Sequence, residues 1–298
     1  MKVAITGGTG LVGSTLTKEL LYRGHEVFIL TRSADKKDQH GVTFVEWLKD
    51  GSKPELELEG IDALINLAGE NLNSGRWTDE KKKSILSSRI DVTRESVRIL
   101  HALNKKPSVF ISGSAVGYYG TSFTETFTEE HTTPGDDFLA DVVVQWEAET
   151  KGAPEEVRTV LSRFGIILSG EDGALKKMLP PFKMGIGGKL GTGEQWMSWI
   201  HVEDVAKALI YCLEHDSISG PVNFTAPNAK RMEDFGKTLS DVLNKPFWAP
   251  VPSNVLKLML GEMSVLILEG QHVVPQKLLD HGYKFTHPEL YEALEELL

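Results

Sequence analysis

Lys2-Val3-Ala4-Ile5-Thr6-Gly7-Gly8-Thr9-Gly10-Leu11-Val12-Gly13 opens the chain, and an apolar-periodic stretch runs on from it to about Tyr22. It reads as a strand, a glycine-rich turn and a helix. Gly7 lets the strand turn sharply, Gly10 keeps a Cβ from holding the backbone off a pyrophosphate, and Gly13 lets helix and strand pack closely. The unpaired N–H groups at the helix start then make an anion site. Gly7, Thr9, Gly10, Leu11, Val12 and Gly13 are therefore the expected residues of a phosphate cradle. A glycine triplet alone is weak support, but Gly24-His25-Glu26-Val27-Phe28-Ile29-Leu30 follows as the second strand that a dinucleotide fold requires.

Working outward, strand and helix patterns alternate through the first half, which predicts a Rossmann-type, doubly wound α/β fold with a parallel sheet. Strands are expected at 2–5, 26–31, 42–46, 62–67, 108–113 and 158–163, and helices at about 11–23, 79–86, 87–103 and 137–151. Asp35-Lys36-Lys37-Asp38 and Pro54-Glu55-Leu56-Glu57 read as polar connections, and Lys81-Lys82-Lys83 as a solvated helix face or a phosphate seeker. After Arg163 the chain turns rich in Gly and Pro, as loops framing a cleft would be, before helical patterns return at 203–214 and 232–244. The expected organisation is a cofactor domain over 1–164, to which segments around 200–220 return, and a smaller substrate lobe over 165–298. Within that lobe, about 248–298 forms a C-terminal unit.

The 298 residues suffice for a large core, and the 41% apolar and 25% charged shares are those of a globular protein. A formal net charge of −10 argues against nucleic acid or an anionic membrane as partner, so a small-molecule substrate is expected, with a homodimer as one assembly open to it. The single cysteine, Cys212, cannot make an internal disulfide and reads as a small buried hydrophobe, which fits a cytoplasmic location. Val255 to Leu268 is too short to span a bilayer and reads as a packed helix. The nine histidines show no metal-ligand spacing, and no metal is expected.

The end of the second strand selects the cofactor. An acidic residue there would accept a ribose 2′-hydroxyl, whereas this chain has Thr31-Arg32-Ser33, and a guanidinium suits a 2′-phosphate. Thr31 and Arg32 thus point to NADP.

The Gly-x-x-Gly-x-x-Gly spacing resembles that of the extended short-chain dehydrogenase/reductase family. More narrowly, Asn66-Leu67-Ala68-Gly69-Glu70-Asn71, Ser112-Gly113-Ser114-Ala115-Val116-Gly117-Tyr118-Tyr119-Gly120, Trp199-Ile200-His201-Val202-Glu203-Asp204 and Leu268-Glu269-Gly270-Gln271 with Pro275 resemble its atypical epimerase branch, whose members carry a C-terminal domain of unknown function. The resemblance implies further cofactor-facing positions at Leu67, Ala68, Gly69, Glu70, Ser112 and Arg89. Arg89 stands where the family usually has Asn, and either reaches the NADP or is a solvated helix residue.

The family's Tyr-x-x-x-Lys pair and its Ser or Thr exchange a proton with the substrate while hydride moves. Ser114 matches the Ser. The Tyr and Lys match nothing, because Asp137-Phe138-Leu139-Ala140-Asp141-Val142-Val143-Val144-Gln145-Trp146-Glu147 fills that stretch and no tyrosine of the chain has a lysine four residues later. Tyr118 and Tyr119 are the substitute acids placed beside Ser114, or else they wall the pocket; Glu70 is a further substitute, or binds loop amides or a ribose. Met197 takes the place of the Arg by which sugar-nucleotide epimerases grip a diphosphate, and with Trp196 and Trp199 it suggests an apolar wall, or core. His201 reads as a structural hydrogen-bonder. Two functions stand: an NADP-dependent oxidoreductase or epimerase-like enzyme on a small substrate that is not a nucleotide sugar, and a catalytically inactive NADP sensor or partner-docking protein.

Overall fold

A computed structural model of the chain describes residues 1–33 and 40–298. The Asp35–Asp38 connection lies outside the described residues. Seven strands form one parallel sheet: β1 (Lys2–Thr6), β2 (Glu26–Thr31), β3 (Val42–Glu46), β4 (Ala63–Asn66), β5 (Val109–Ala115), β6 (Arg158–Phe164) and β7 (Gly220–Phe224). Their order is β7-β6-β5-β4-β1-β2-β3. Sequence order reverses beside β1, and in open α/β sheets ligands bind in the crevice that such a reversal opens at the carboxyl ends of the strands.

Alternation along β1 sends Val3 and Ile5 to one face and Ala4 to the other. On the first face, α1 (Leu11–Tyr22) contributes Leu16 and Leu20, and α5 (Val202–Glu214) contributes Val205, Leu209 and Leu213. On the second, α2 (Asp79–Ala102) contributes Val92, Ile99 and Leu100. α3 (Phe138–Glu149), α4 (Gly173–Lys183), α6 (Met232–Val242), α7 (Ser253–Leu260) and α8 (Leu290–Leu297) complete the longer helices. A separate core of Leu175, Phe182, Trp199, Phe235 and Leu294 holds the lobe built by α4, α6 and α8.

Several elements depart from the sequence reading for identifiable reasons. The two helices expected at 79–86 and 87–103 are one, because the hydroxyls of Ser87 and Ser88 bond back to the carbonyls of Ser84 and Ile85 instead of interrupting the helix. Pro54–Glu57 is a helical turn with Pro at its start. β7 was not expected at all; its Gly and Pro open a five-residue edge strand that buries Val222, Asn223 and Phe224. The packed helix expected over Val255–Leu268 is broken at Gly261, whose φ of +62° only glycine adopts readily, and α7 leaves Leu258 and Met259 exposed. Cys212 is fully buried, and burial pushes its thiol up to about 12. No helix among the described residues is long and apolar enough to cross a membrane.

Candidate active site

The carboxyl ends of β1, β4 and β5 are held level by register, Thr6 beside Asn66 and Asn66 beside Ser112. Thr6 Oγ1 donates to Asn66 Oδ1 at 2.6 Å, and the Asn66 amide donates to Thr93 Oγ1 at 3.0 Å. Thr6 Oγ1 also accepts from the backbone N–H groups of Leu67 and Ala68, each at 3.1 Å. This buried network presses the 67–69 backbone against the glycine turn. A Cβ on Gly7, at φ +68°, would lie 2.8 Å from Leu67 C, and one on Gly13 would lie 2.3 Å from Gly7 O. Backbone approaches that close admit only glycine at both positions.

Where Thr78 and Asp137 cap α2 and α3 with side-chain oxygens, α1 begins at Gly10 without a side-chain cap. Its first N–H groups are left for a ligand. They open onto a cleft of about 1120 Å³ whose walls include Gly7, Thr9, Gly10, Thr31, Arg32, Leu67, Ala68, Gly69 and Glu70. Of the remaining cradle residues, Val12 lines a second cavity, Gly13 packs against Gly7, and Leu11 is not among the residues lining either space. Ser112 is fully buried beneath the loop, within hydrogen-bond reach of Asn66.

Hydrogen bonds from Lys81 and then Ser84 lower the Glu70 carboxyl below its ordinary value. Lys81 is thus an internal partner, and Lys82 pairs with Glu262 of the C-terminal segment. Arg89 donates to the carbonyls of Ile85 (2.8 Å) and Glu70 (3.1 Å) and sits over the Trp146 ring; burial brings its guanidinium down to about 10. It lines the second cavity beside Gly69, which borders both spaces.

That second cavity, of about 390 Å³, has a largely apolar wall. α3 contributes Leu139, Val142, Val143 and Trp146, so both pairs spaced four apart, Leu139 with Val143 and Val142 with Trp146, lack a phenol and an ammonium. Trp196 walls it, as expected, while Met197 and Trp199 are lobe core. Val265, Leu266, Glu269, Gly270 and Gln271 close it from the C-terminal segment. Gly270 fits only as glycine, since a Cβ would lie 2.1 Å from Trp196 O.

Ser114 lines this cavity, but the two tyrosines grouped with it do not. Tyr118 donates to the Thr132 carbonyl at 2.6 Å, and Tyr119 donates to Asn223 Oδ1 at 2.8 Å inside the protein. Burial raises the Tyr119 phenol above its ordinary value, away from any role as a neutral-pH base. Both rings instead cover Arg163, whose guanidinium carbon lies 3.5 Å from the Tyr118 centroid and 5.0 Å from that of Tyr119. Arg163, 2% exposed, donates to Glu147 from Nε at 2.8 Å and from Nη2 at 2.9 Å. Ser114 Oγ donates to the same Glu147 carboxylate at 2.6 Å. Its aromatic cover lets the Arg163 Nη1 group stay buried without a hydrogen-bond partner. Glu147 and Arg163 escaped the sequence reading, although each leaves a trace: a carboxylate one turn past Val143 on an apolar helix face, and a cation inside a buried parallel strand.

These features define a cleft at the N-terminus of α1 joined to an apolar cavity. Residues 3–224 match the NAD dependent epimerase/dehydratase family. The chain belongs to that family. Residues 251–297 match a domain of unknown function, DUF1731, so the segment closing the cavity is a recognised unit. The chain is 48% identical over 299 residues to the epimerase family protein YfhF of Bacillus subtilis, covering 100% of this chain and 98% of that one. Its fold is similar to human epimerase family protein SDR39U1 (isoform 2), solved with NADPH, at a TM-score of 0.89 and 33% identity over 100% of this chain and 99% of that one. The fold alone is shared with the Thermus thermophilus UDP-glucose 4-epimerase solved with NAD, at a TM-score of 0.78 and 19% identity over 100% of this chain and 97% of that one. Members of the epimerase/dehydratase family bind nicotinamide cofactors.

The C-terminal unit of this family member is tied down by a cluster that sequence spacing hid, because its members are far apart in the chain. His201, His287 and Glu296 bring ligand atoms within 4.8 Å of one another. His201 Nδ1 accepts the Glu203 N–H and caps α5, which leaves the proton on Nε2, 2.9 Å from Glu296. That tautomer offers a metal no lone pair on Nε2, so the cluster is a hydrogen-bonded strap, with His287 in turn on Glu203 at 2.9 Å. Burial first, and then His287, lower the His201 imidazole below its ordinary value of 6.5, against an opposing pull from Glu296. A base depressed in the folded state contributes stability above pH 6.5 that is lost as pH falls toward its folded value. His201→Asn keeps a capping acceptor and removes the titration. Thermal unfolding followed by circular dichroism is expected to show a steeper fall of Tm between pH 7 and pH 5 in the wild type than in H201N; equal slopes would exclude His201 as the titrating group.

Proposed function

We propose that the protein is an NADP(H)-dependent oxidoreductase acting on a small, largely apolar alcohol or carbonyl compound. The observation that carries the reading is the cavity itself: aromatic and aliphatic walls adjoin the cofactor cleft, and the position of a diphosphate-gripping Arg is filled by a buried Met197. The residues present fit a dinucleotide. The α1 N-terminus and the Gly7–Gly10 turn would hold the pyrophosphate, and Arg32, exposed at the end of β2, would hold a 2′-phosphate. Arg89, a half-buried cation hydrogen-bonded to carbonyls, gains from a nearby anion. Bound there, the cofactor would supply or accept a hydride at the mouth of the cavity. The protein's own part is to exclude water with Trp146, Trp196 and Leu266 and to place Ser114 against the substrate oxygen.

The test is a panel of small aldehydes, ketones and quinones followed by NADPH absorbance, beside UDP-, GDP- and dTDP-sugars followed by product analysis. Oxidation of NADPH by an apolar carbonyl compound, with no epimerised nucleotide sugar, is the expected outcome. Epimerisation of any nucleotide sugar would overturn it. Tight NADPH binding with no turnover across the panel would favour the inactive sensor, a reading that the apolar face of α3 supports.

A further inference from the structure

The polar groups lining the second cavity share a property that the apolar walls conceal. Each hydroxyl has committed its hydrogen to the protein: Ser114 to Glu147 (2.6 Å), Thr121 to Glu269 (3.0 Å) and Ser198 to the Gln271 carbonyl (2.7 Å). The Gln271 amide donates to the Val116 carbonyl at 2.9 Å and the Trp196 indole N–H to the Phe123 carbonyl at 3.1 Å. Arg89, the cation of the wall, stands at the cofactor end beside Gly69, with two of its N–H groups on carbonyls. What the Ser114 oxygen has left to offer a ligand is its lone pairs.

The direction of the Ser114 bond is fixed from behind. A carboxylate receiving two parallel bonds from Arg163 is ionised and can only accept, so the Ser114 hydroxyl must be the donor. Arg163 cannot turn away, since it is walled by the Tyr118 and Tyr119 rings. We infer that Ser114 meets its ligand as a hydrogen-bond acceptor, so that the cavity selects an apolar molecule bearing a hydroxyl over one bearing a bare carbonyl or ether. This deepens the functional reading above and rests on its assignment of the cavity as the substrate site. In the oxidoreductase reading the alcohol is then the form held by Ser114, and the carbonyl form is the one released.

The experiment uses the full chain saturated with NADP⁺ and four probes of one shape that it cannot oxidise at a carbinol: phenol, anisole, acetophenone and toluene. Binding is read by calorimetry and by quenching of the cavity tryptophans Trp146 and Trp196. The wild type should bind phenol about tenfold more tightly than anisole or acetophenone, the worth of one well-placed hydrogen bond. Ser114→Ala should erase that margin and leave toluene unchanged. The toluene arm separates this outcome from mere loosening of the fold, which would weaken all four probes together. Acetophenone binding as tightly as phenol, with toluene bound, would overturn the inference while leaving the cavity reading intact. Failure of all four probes to bind would overturn the cavity reading, and this inference with it.

Discussion

Glu147→Ala is expected to cost the fold about 3–5 kcal/mol, the usual penalty for removing one partner of a buried ion pair. Arg163 is 2% exposed and would keep its charge with neither of its two bonds to Glu147, while Ser114 would lose its acceptor. The aromatic rings over the guanidinium offset only part of this, since cation–π contacts contribute roughly 2 kcal/mol when desolvated. Urea unfolding at neutral pH measures the loss. The double variant Glu147→Leu/Arg163→Met, which removes both charges, should recover most of it. A loss below about 1 kcal/mol in the single variant would mean that water reaches Arg163 and that the pair behaves as a surface one.

How far the sequence spoke depended on whether the determinant was local. The glycine turn, the strand alternation and the Thr31-Arg32 strand end are local patterns, and each led to the place where the structure has them. Tyr118 and Tyr119 were misread because neighbours of Ser114 in sequence need not share its cavity: the chain leaves β5 through a one-turn helix over Val116–Tyr119 that directs their hydroxyls to Thr132 and Asn223. Glu147 and Arg163 are non-local partners, brought together by the packing of α3 on β6, and no period in the sequence announces a pair formed that way. The strap of His201, His287 and Glu296 was invisible for the same reason.

The second large effect concerns cofactor choice. Arg32→Asp should lower NADPH affinity by roughly 2–4 kcal/mol, about 30- to 1000-fold, through loss of a phosphate partner and gain of a like charge. NADH, without the 2′-phosphate, should be nearly unaffected, because Gly7, Gly10 and the α1 N-terminus that would hold the shared pyrophosphate are untouched. Calorimetric titration of both cofactors into wild type and variant decides the matter. Equal losses for the two would remove Arg32 from 2′-phosphate recognition.

The cleft proposed for the cofactor is lined wholly from the first 92 residues, whereas the cavity beside it draws on residues 265–271, held by Ser198 and by the Gln271 bond to Val116. On a growing chain the two spaces are therefore completed at different times, since N-terminal elements emerge and fold first during synthesis. A nascent polypeptide can assemble the cleft proposed for the nucleotide long before it has any chamber for a second molecule. Early occupancy by the dinucleotide would stabilise the half-made sheet by mass action, casting the cofactor as an assembly aid before it takes part in any chemistry.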